Sequence, residues 1–592
     1  MEPSIYDFIK EEEAGYELPV QIIDGYEWSM KNHIKTTVLY KNSQFTTGKD
    51  DNKPFKNIIR PILNLQYRAE GFDVKDIELF INSKDEYYKS FLIKKYHEKW
   101  ARENGIDTFI DQLVESYVDF GGALVKNVKG VRPEVVPLQS IAFADQTDLL
   151  SGPFAIKHYY NPAQLLEMED LGWGKQSSGA TGTLQDVIYL SSAYKKVGDE
   201  QVKTTGKYIE VYEVHGNFPL SYLDPEGSTE KYSNQLHICT FYIDDKGKRN
   251  WITLFAGPER KPVFKLVLRD EIYGRALGLG GAEELFEPQV WINYDQIRMK
   301  QMLDEAAKII YKTTDDAIAA RNNTRNMSTG EILSLAEGKD IGQVDNYPRN
   351  VAVFEKNVSD WEAHAQMMGS ANDAIMGESP TSGTPFKLQE LVTAEGHSIH
   401  EYRKGKLATF VEEIYRDWIL PQLGTEITKG KEFISELSLE ELQSVSQSMI
   451  DNMVADNDKE AVLSGKVIPD DATKEAFKQK TREEFMKGGS KRFLKILDGE
   501  FKESEIDVYA NVAGKQKNMA AMTDKLVNIF RTVVASPDVL SNPSMAKLFN
   551  EILESSGLSP MDFGSLQANK PEPQQIQVQP QPVQPQPQQP LV

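Results

Sequence analysis

The chain has 592 residues, 40% of them hydrophobic and 26% charged, a balance that excludes a disordered or fibrous protein and fits a folded one. Eighty-nine acidic against 67 basic residues give a formal net charge of −22, which argues against a protein that simply coats nucleic acid. The single cysteine, Cys239, excludes an internal disulfide, and no apolar run approaches the roughly 18–20 residues a membrane helix needs, so the chain is expected to be soluble before any assembly.

Taken in chain order, the first residues are acidic and lack the apolar run of a signal peptide. Residues 1–130 read as mostly helical, with Phe80, Tyr87, Tyr88, Phe91, Leu92, Tyr96 and Trp100 at helical spacings. The character changes over 131–270. Tyr208 to Val214 and Ile238 to Ile243 are rich in β-formers. Asp244-Asp245-Lys246-Gly247 reads as a hairpin turn, and Trp251 to Phe255 as the return strand. Cys239 is expected as a small core residue of this region. Asn161-Pro162 places an N-cap and an N1 proline before a short helix.

A glycine turn, Gly274 to Gly281, leads into a long helix over roughly 283–310, with Phe286, Val290, Tyr294 and Ile297 on one face. Residues 311–354 are polar and end in the strand-like Val351-Ala352-Val353-Phe354. A second helix is expected to about Met376, then a turn-rich loop, Gly377 to Pro385, then a third long helix over 387–418. Ser438-Leu439-Glu440-Glu441 and Asp471 to Glu475 open further helices, and Ile506 to Val512 reads as a strand. Helices are expected again over 518–535 and 544–553. The end of the chain, from Lys570, is almost wholly Pro and Gln and cannot bury enough apolar surface to fold. The fold class is α+β.

Catalytic motifs are missing. No Gly-Lys is followed by Ser or Thr, so no Walker A loop is present. In Gly278-Leu279-Gly280-Gly281-Ala282-Glu283, the glutamate stands where a dinucleotide fingerprint needs its third glycine, and the turn reads instead as a flexible hinge. His397 and His400 lie three apart beside Glu401, but without HExxH spacing they read as a solvated or interface pair. No Gly-x-Ser-x-Gly elbow appears. The chain is expected to be no enzyme and to need no cofactor and no metal. Positive charge is local: Arg298, Lys300 and Lys308 on the first long helix, Arg321 and Arg325 beyond it, Lys387 after the loop, then Arg403, Lys404 and Lys406. Such scattered cations suit weak, sequence-blind phosphate contact at most.

The order of these parts carries a resemblance. Gly278 to Gln289, then Trp291-Ile292-Asn293, then Gly377 to Thr384, together with Glu134 to Tyr160 and Ile506 to Asn518, resemble the portal proteins of tailed bacteriophages. The resemblance implies a portal fold with a wing (1–282 and 389–437), stem helices (283–310 and 357–376), a clip (311–356), a tunnel loop (377–388) and a mainly helical crown (438–565). The Pro/Gln-rich tail (566–592) departs from the family pattern. It implies a homo-oligomeric ring, a dodecamer, at one vertex of the virion capsid, assembled in the host cytoplasm. Double-stranded DNA would be packaged and ejected through it without sequence preference. Partners would be the terminase large subunit, head-completion, adaptor and tail proteins, and the major capsid and scaffolding proteins; no membrane is involved. Candidate channel and loop residues are Lys387, Ser382, Thr384, Asp304, Glu305, Asp360 and Glu362, with Arg321 and Arg325 as clip contacts. Lys387→Ala is then expected to spare ring assembly and alter packaging. Trp291, Tyr294 and Trp361 are candidates for contacts between copies. The rival readings are another head–tail adaptor or capsid-internal protein, and, from the enzyme class, a metal-dependent hydrolase.

Overall fold

Local sequence rules account for many of the element boundaries. Asn161 accepts a hydrogen bond from the Gln164 amide at 2.8 Å, Gln164 answers from its side chain, and Pro162 occupies the first helical position, so the expected short helix forms. Asp470 caps a later helix that begins at Asp471, accepting from the Thr473 amide at 3.2 Å. The computed structural model describes residues 4–46, 53–81, 87–128, 132–194, 208–223, 229–243, 246, 248–259, 263–308, 310–314, 316, 335, 337–345, 350–371, 398–423, 433–434, 450, 454, 457–458, 461, 463–464, 470–486, 493–494 and 506–510.

Among these residues the elements run α1 (Ile5–Tyr16), β1 (Val20–Ile23), β2 (Tyr26–Trp28), α2 (Met30–Lys41), α3 (Ile59–Glu70), β3 (Ile77–Ile81), α4 (Tyr87–Asn104), α5 (Ile106–Phe120), β4 (Gly122–Lys126), β5 (Glu134–Val136), β6 (Ile141–Phe143), β7 (Phe154–Tyr160), α6 (Pro162–Glu167), α7 (Leu184–Tyr194), β8 (Ile209–Pro219), β9 (Tyr232–Ile243), β10 (Arg249–Pro258), β11 (Phe264–Leu268), α8 (Gly281–Glu284), α9 (Phe286–Ala306), β12 (Tyr311–Thr313), β13 (Ile341–Gln343), α10 (Val351–Met368), α11 (Ser398–Ile414), β14 (Phe433–Ile434), α12 (Asp471–Met486), β15 (Phe493–Leu494) and β16 (Ile506–Ala510). The architecture is α+β.

The chain divides into two units. The first comprises residues 1–78, 98–422 and 508–513. Its main sheet is antiparallel in the order β10-β9-β8-β7-β6, and a second, three-stranded antiparallel sheet runs β11-β4-β5. The main sheet is covered on both faces. Tyr212, Val214, Phe218 and Cys239 share a core with Ile9 of α1 and Met30 and Ile34 of α2. Val211, Ile238 and Leu254 pack with Leu165 of α6 and Leu184 and Val187 of α7. Double coverage explains why the central strands read as nearly unbroken apolar runs, each fully buried side chain contributing about 1.5–3 kcal/mol. In the second unit (79–97, 423–507, 514–592), β14 pairs antiparallel with β15, and Lys474 of α12 pairs with Asp458 at 2.6 Å.

Three sequence expectations change. Phe80 belongs to β3, outside the helical series it was spaced with; α4 begins at Tyr87. Val351 to Phe354 forms the first turn of α10, so the expected strand end of the 311–356 segment is helix from residue 351 onward. A short β-branched run does not distinguish the two states. Here Val358 and Ala365 continue the 3.6-residue spacing as the buried face, and the helix wins. The glycine turn is not a flexible hinge. A Cβ on Gly280 would lie 2.9 Å from both the Asp119 carbonyl carbon and the Gly121 nitrogen, so glycine is required there by close backbone packing of the turn against the α5–β4 junction.

Candidate functional site: a helical hairpin and its charged root

The first unit carries a hairpin of two long helices, α9 and α10, packed along each other. Pairing runs antiparallel. A Cβ on Gly369, just past α10, would sit 3.6 Å from Leu285, just before α9; Trp361 stacks on Trp291 at 6.3 Å; and Asn357 donates to Asp295 at 2.5 Å. At the far end, β12 and β13 pair antiparallel, and the Val344 amide donates to the Ile310 carbonyl at 2.8 Å. The 21 residues of α9 span about 31 Å at about 1.5 Å per residue.

The buried face of α9 is mixed and is not the expected apolar one. It holds Gln289, Asn293 and Asp295 beside Pro288, Ile292 and Met299, while Phe286, Trp291, Tyr294 and Leu303 are exposed, Trp291 and Tyr294 each to 44%. The face built on Phe286, Val290, Tyr294 and Ile297 is therefore not the core face. The cause is a polar seam. Gln289 accepts from the Ile58 amide at 2.8 Å and donates to the Lys56 carbonyl at 2.7 Å, and Asn293 accepts from the Lys56 amide at 3.1 Å. These amides satisfy backbone groups of the segment that leads into α3, and the aromatic face is left outside.

Four chain segments meet at the root of the hairpin in a buried ionic cluster. Arg269, after β11, makes a two-pronged contact with Glu70 at the end of α3 (3.0 and 2.7 Å) and reaches Glu284 at 3.4 Å. Arg403 of α11 holds Asp270 at 2.6 Å and Glu284 at 3.0 Å. His400, also of α11, lies 3.0 Å from Glu70 through Nδ1 and 3.3 Å from the Ser370 carbonyl through Nε2. Tyr117 donates to the Arg403 carbonyl and Gln66 to the Gly369 carbonyl. Arg269 and Glu70 are fully buried. Burial pushes the Glu70 carboxyl upward, but the hydrogen bonds from His400 and Arg269 and the charges of Arg269 and Arg403 outweigh it and hold it below the usual value. Gly369 and Ser370, which precede residues 372–397, and His400, which follows them, are thus tied to one cluster.

These placements revise the charge reading. His400 is not solvated: it is buried in an ion-paired cluster, and among the described residues no group of three or more His, Cys, Asp or Glu is arranged to hold a metal. Arg403 is buried and paired, and Lys406 donates to the Arg269 carbonyl at 3.2 Å. Arg298 lies 4.5 Å from the centre of the Tyr294 ring. Of the acidic candidates, Asp304 pairs with Lys300 at 2.8 Å, Glu305 with Lys308 at 3.8 Å and Glu362 with Lys56 at 2.5 Å; Asp360 is exposed. Lys387, Ser382, Thr384, Arg321, Arg325, His397, the 438–441 cap, the helices expected over 518–535 and 544–553, and the Pro/Gln tail lie outside the described residues. No helix among the described residues is long and apolar enough to cross a membrane. The ionic root escaped sequence reading, because Glu70 and Arg269 are separated by 199 positions.

No family model matches the chain, and no curated protein matches it. Among solved structures, a chain from the virion of a native gene transfer agent particle aligns at 10% identity over 93% of this chain and 99% of that chain, with a TM-score of 0.34. A chain from the neck of an empty gene transfer agent particle aligns at 10% identity over 76% of this chain and 96% of that one, with a TM-score of 0.31. Both scores lie below the level at which two chains are taken to share a fold.

Proposed function

We propose that this chain is a non-enzymatic structural component of a phage-like particle, and specifically one subunit of the portal ring through which double-stranded DNA enters and leaves the head. In this reading α9 and α10 are the stem and β12–β13 belongs to the clip that docks the terminase and later the neck and tail proteins. The tunnel loop that the resemblance assigns to 377–388 lies outside the described residues. The observation that carries the reading is the exposed aromatic face of the hairpin. A long helix that buries Gln289, Ile292, Asn293 and Met299 and leaves Phe286, Trp291 and Tyr294 exposed keeps apolar surface for contact with something else. In a ring of identical wedges that something is the neighbouring copy, through a heterologous interface that closes by rotation.

Negative-stain imaging of the purified full-length chain tests this directly. The expected image is a ring with a central hole wide enough for a DNA duplex. The double substitution W291A/Y294A is expected to shift rings toward monomers while leaving circular dichroism unchanged. Each aromatic is worth about 1.5–3 kcal/mol of interface burial, roughly ten- to hundredfold in the association constant. A wild-type chain that stays monomeric at high concentration, or rings indifferent to both substitutions, sinks the proposal.

A further inference from the structure

Away from the hairpin, a buried histidine of the main sheet lies between two carboxylates, one of which also holds a lysine of the three-stranded sheet. His215 of β8 is 3.0 Å from Glu213 Oε1 through Nε2, and 3.1 and 3.2 Å from the two oxygens of Glu259 through Nδ1. Glu213 also receives the His158 Nε2 of β7 at 2.7 Å and the ammonium of Lys126 from β4, the central strand of the three-stranded sheet. Phe154 of β7 stacks on the His215 ring at 5.5 Å, and Phe264 of β11 meets it edge-on at 4.6 Å. The outer neighbours are Tyr160, stacked on His158 at 5.7 Å, and Glu134 of β5, whose charge acts together with that of Glu213 on the Tyr160 hydroxyl. His215, Glu213 and Phe154 are buried.

The hydrogen-bond arithmetic fixes the state of the ring. A neutral imidazole has one N–H and one lone pair. With a carboxylate at each nitrogen, the neutral ring would turn its lone pair against a carboxylate oxygen, so both nitrogens carry protons. The charges then balance: Glu213 and Glu259 stand against Lys126 and His215, and the single N–H contact of His158 needs no charge. Removing the His215 proton leaves uncompensated negative charge in the interior, which is costly.

We propose that the second proton of His215 is a removable pin between β8 and the segment that follows β10, and that losing it on the alkaline side sets the Glu213 and Glu259 carboxylates against each other and loosens β8 from that segment. Burial of the ring opposes protonation, but the hydrogen bonds and charges of Glu213 and Glu259 prevail and raise its pKa above the ordinary 6.5. A raised histidine pKa contributes stability that is complete below the unfolded value and is lost as pH rises through the folded value. Glu213, held well below the ordinary carboxylate value, keeps its charge throughout that range.

Hydrogen–deuterium exchange of the full-length chain over about pH 6–10 tests the pin, with rates corrected for base catalysis. Peptides covering 209–219 and 249–259 are read against peptides of α5 as an internal reference. Their opening constant is expected to rise by up to about tenfold per pH unit from the ordinary histidine value of about 6.5 to the folded value, and to level off above it. Glu259→Gln is expected to lower the pH at which the rise levels off, and His215→Gln to abolish the rise. Flat opening constants in the wild-type chain overturn the proposal without any variant, and so does a plateau that Glu259→Gln leaves in place.

Discussion

Glu70 is the residue on which the hairpin root depends most. It compensates Arg269 directly, faces Arg403 at 3.6 Å and orients His400, all from a fully buried position. Breaking a buried ion pair from one side costs more than the pair contributes, because the partner charge is stranded. Glu70→Gln is expected to destabilise the first unit by about 3–5 kcal/mol in chemical denaturation. The pair replacement E70M/R269M is expected to cost much less, since neither charge is left alone. The pH dependence has a definite sign. The folded pKa of Glu70 is depressed, so its contribution is complete above the ordinary glutamate value of about 4.3 and is lost as pH falls through the folded value. Acid unfolding followed by fluorescence should therefore show a Glu70-dependent loss that Glu70→Gln lacks. None of this was legible beforehand. His400 and Glu70 are 330 positions apart, so a histidine on a polar-looking helix gave no sign of its buried partner.

At the scale of elements, the glycine turn and the hairpin teach opposite lessons. The turn was visible as glycines, but their purpose was not. Gly280 has an ordinary helix-entry φ of −85°, so no torsional freedom is being used. What it needs is the space a side chain would take, against backbone atoms that cannot swing aside. Gly280→Ala is accordingly expected to cost about 1–3 kcal/mol as an overpacking substitution. Gly405, inside α11 with nothing within 4 Å of its missing Cβ, is the control: Gly405→Ala is expected to stabilise by about 0.5–1 kcal/mol. Thermal midpoints of the two variants should move in opposite directions. The helix α9 and the strands β8 to β10 were readable from periodicity and β-rich runs, whereas α10 begins at Val351, well before the expected start. The orientation of α9 was not, because a periodicity argument assigns the apolar stripe to the core. Only the backbone at residues 56–58, through its contacts with Gln289 and Asn293, reverses that assignment.

For the whole molecule, the question is what a chain of net charge −22 does beside DNA. A duplex carries one phosphate charge per about 1.7 Å of its axis, so tight binding would hold it still, whereas a channel must let it slide. The proposed stem supplies its acid mostly in balanced form, since Asp304, Glu305 and Glu362 each face a lysine, and only the surplus repels. Exposed pairs of this kind contribute little stability, so their charges can be changed without unfolding the hairpin. Reversing Asp304, Glu305 and Asp360 to lysine should therefore convert a sliding surface into a binding one. Wild-type rings are expected to give no duplex binding by fluorescence anisotropy at about 0.1 M salt. The triple variant is expected to bind, with log K falling against log salt by about 0.9 for each phosphate newly engaged, and to retain DNA during packaging. Equal binding by both would mean that these positions do not face the nucleic acid. Binding by the wild type alone would mean that the acidic surface is not what keeps the duplex mobile.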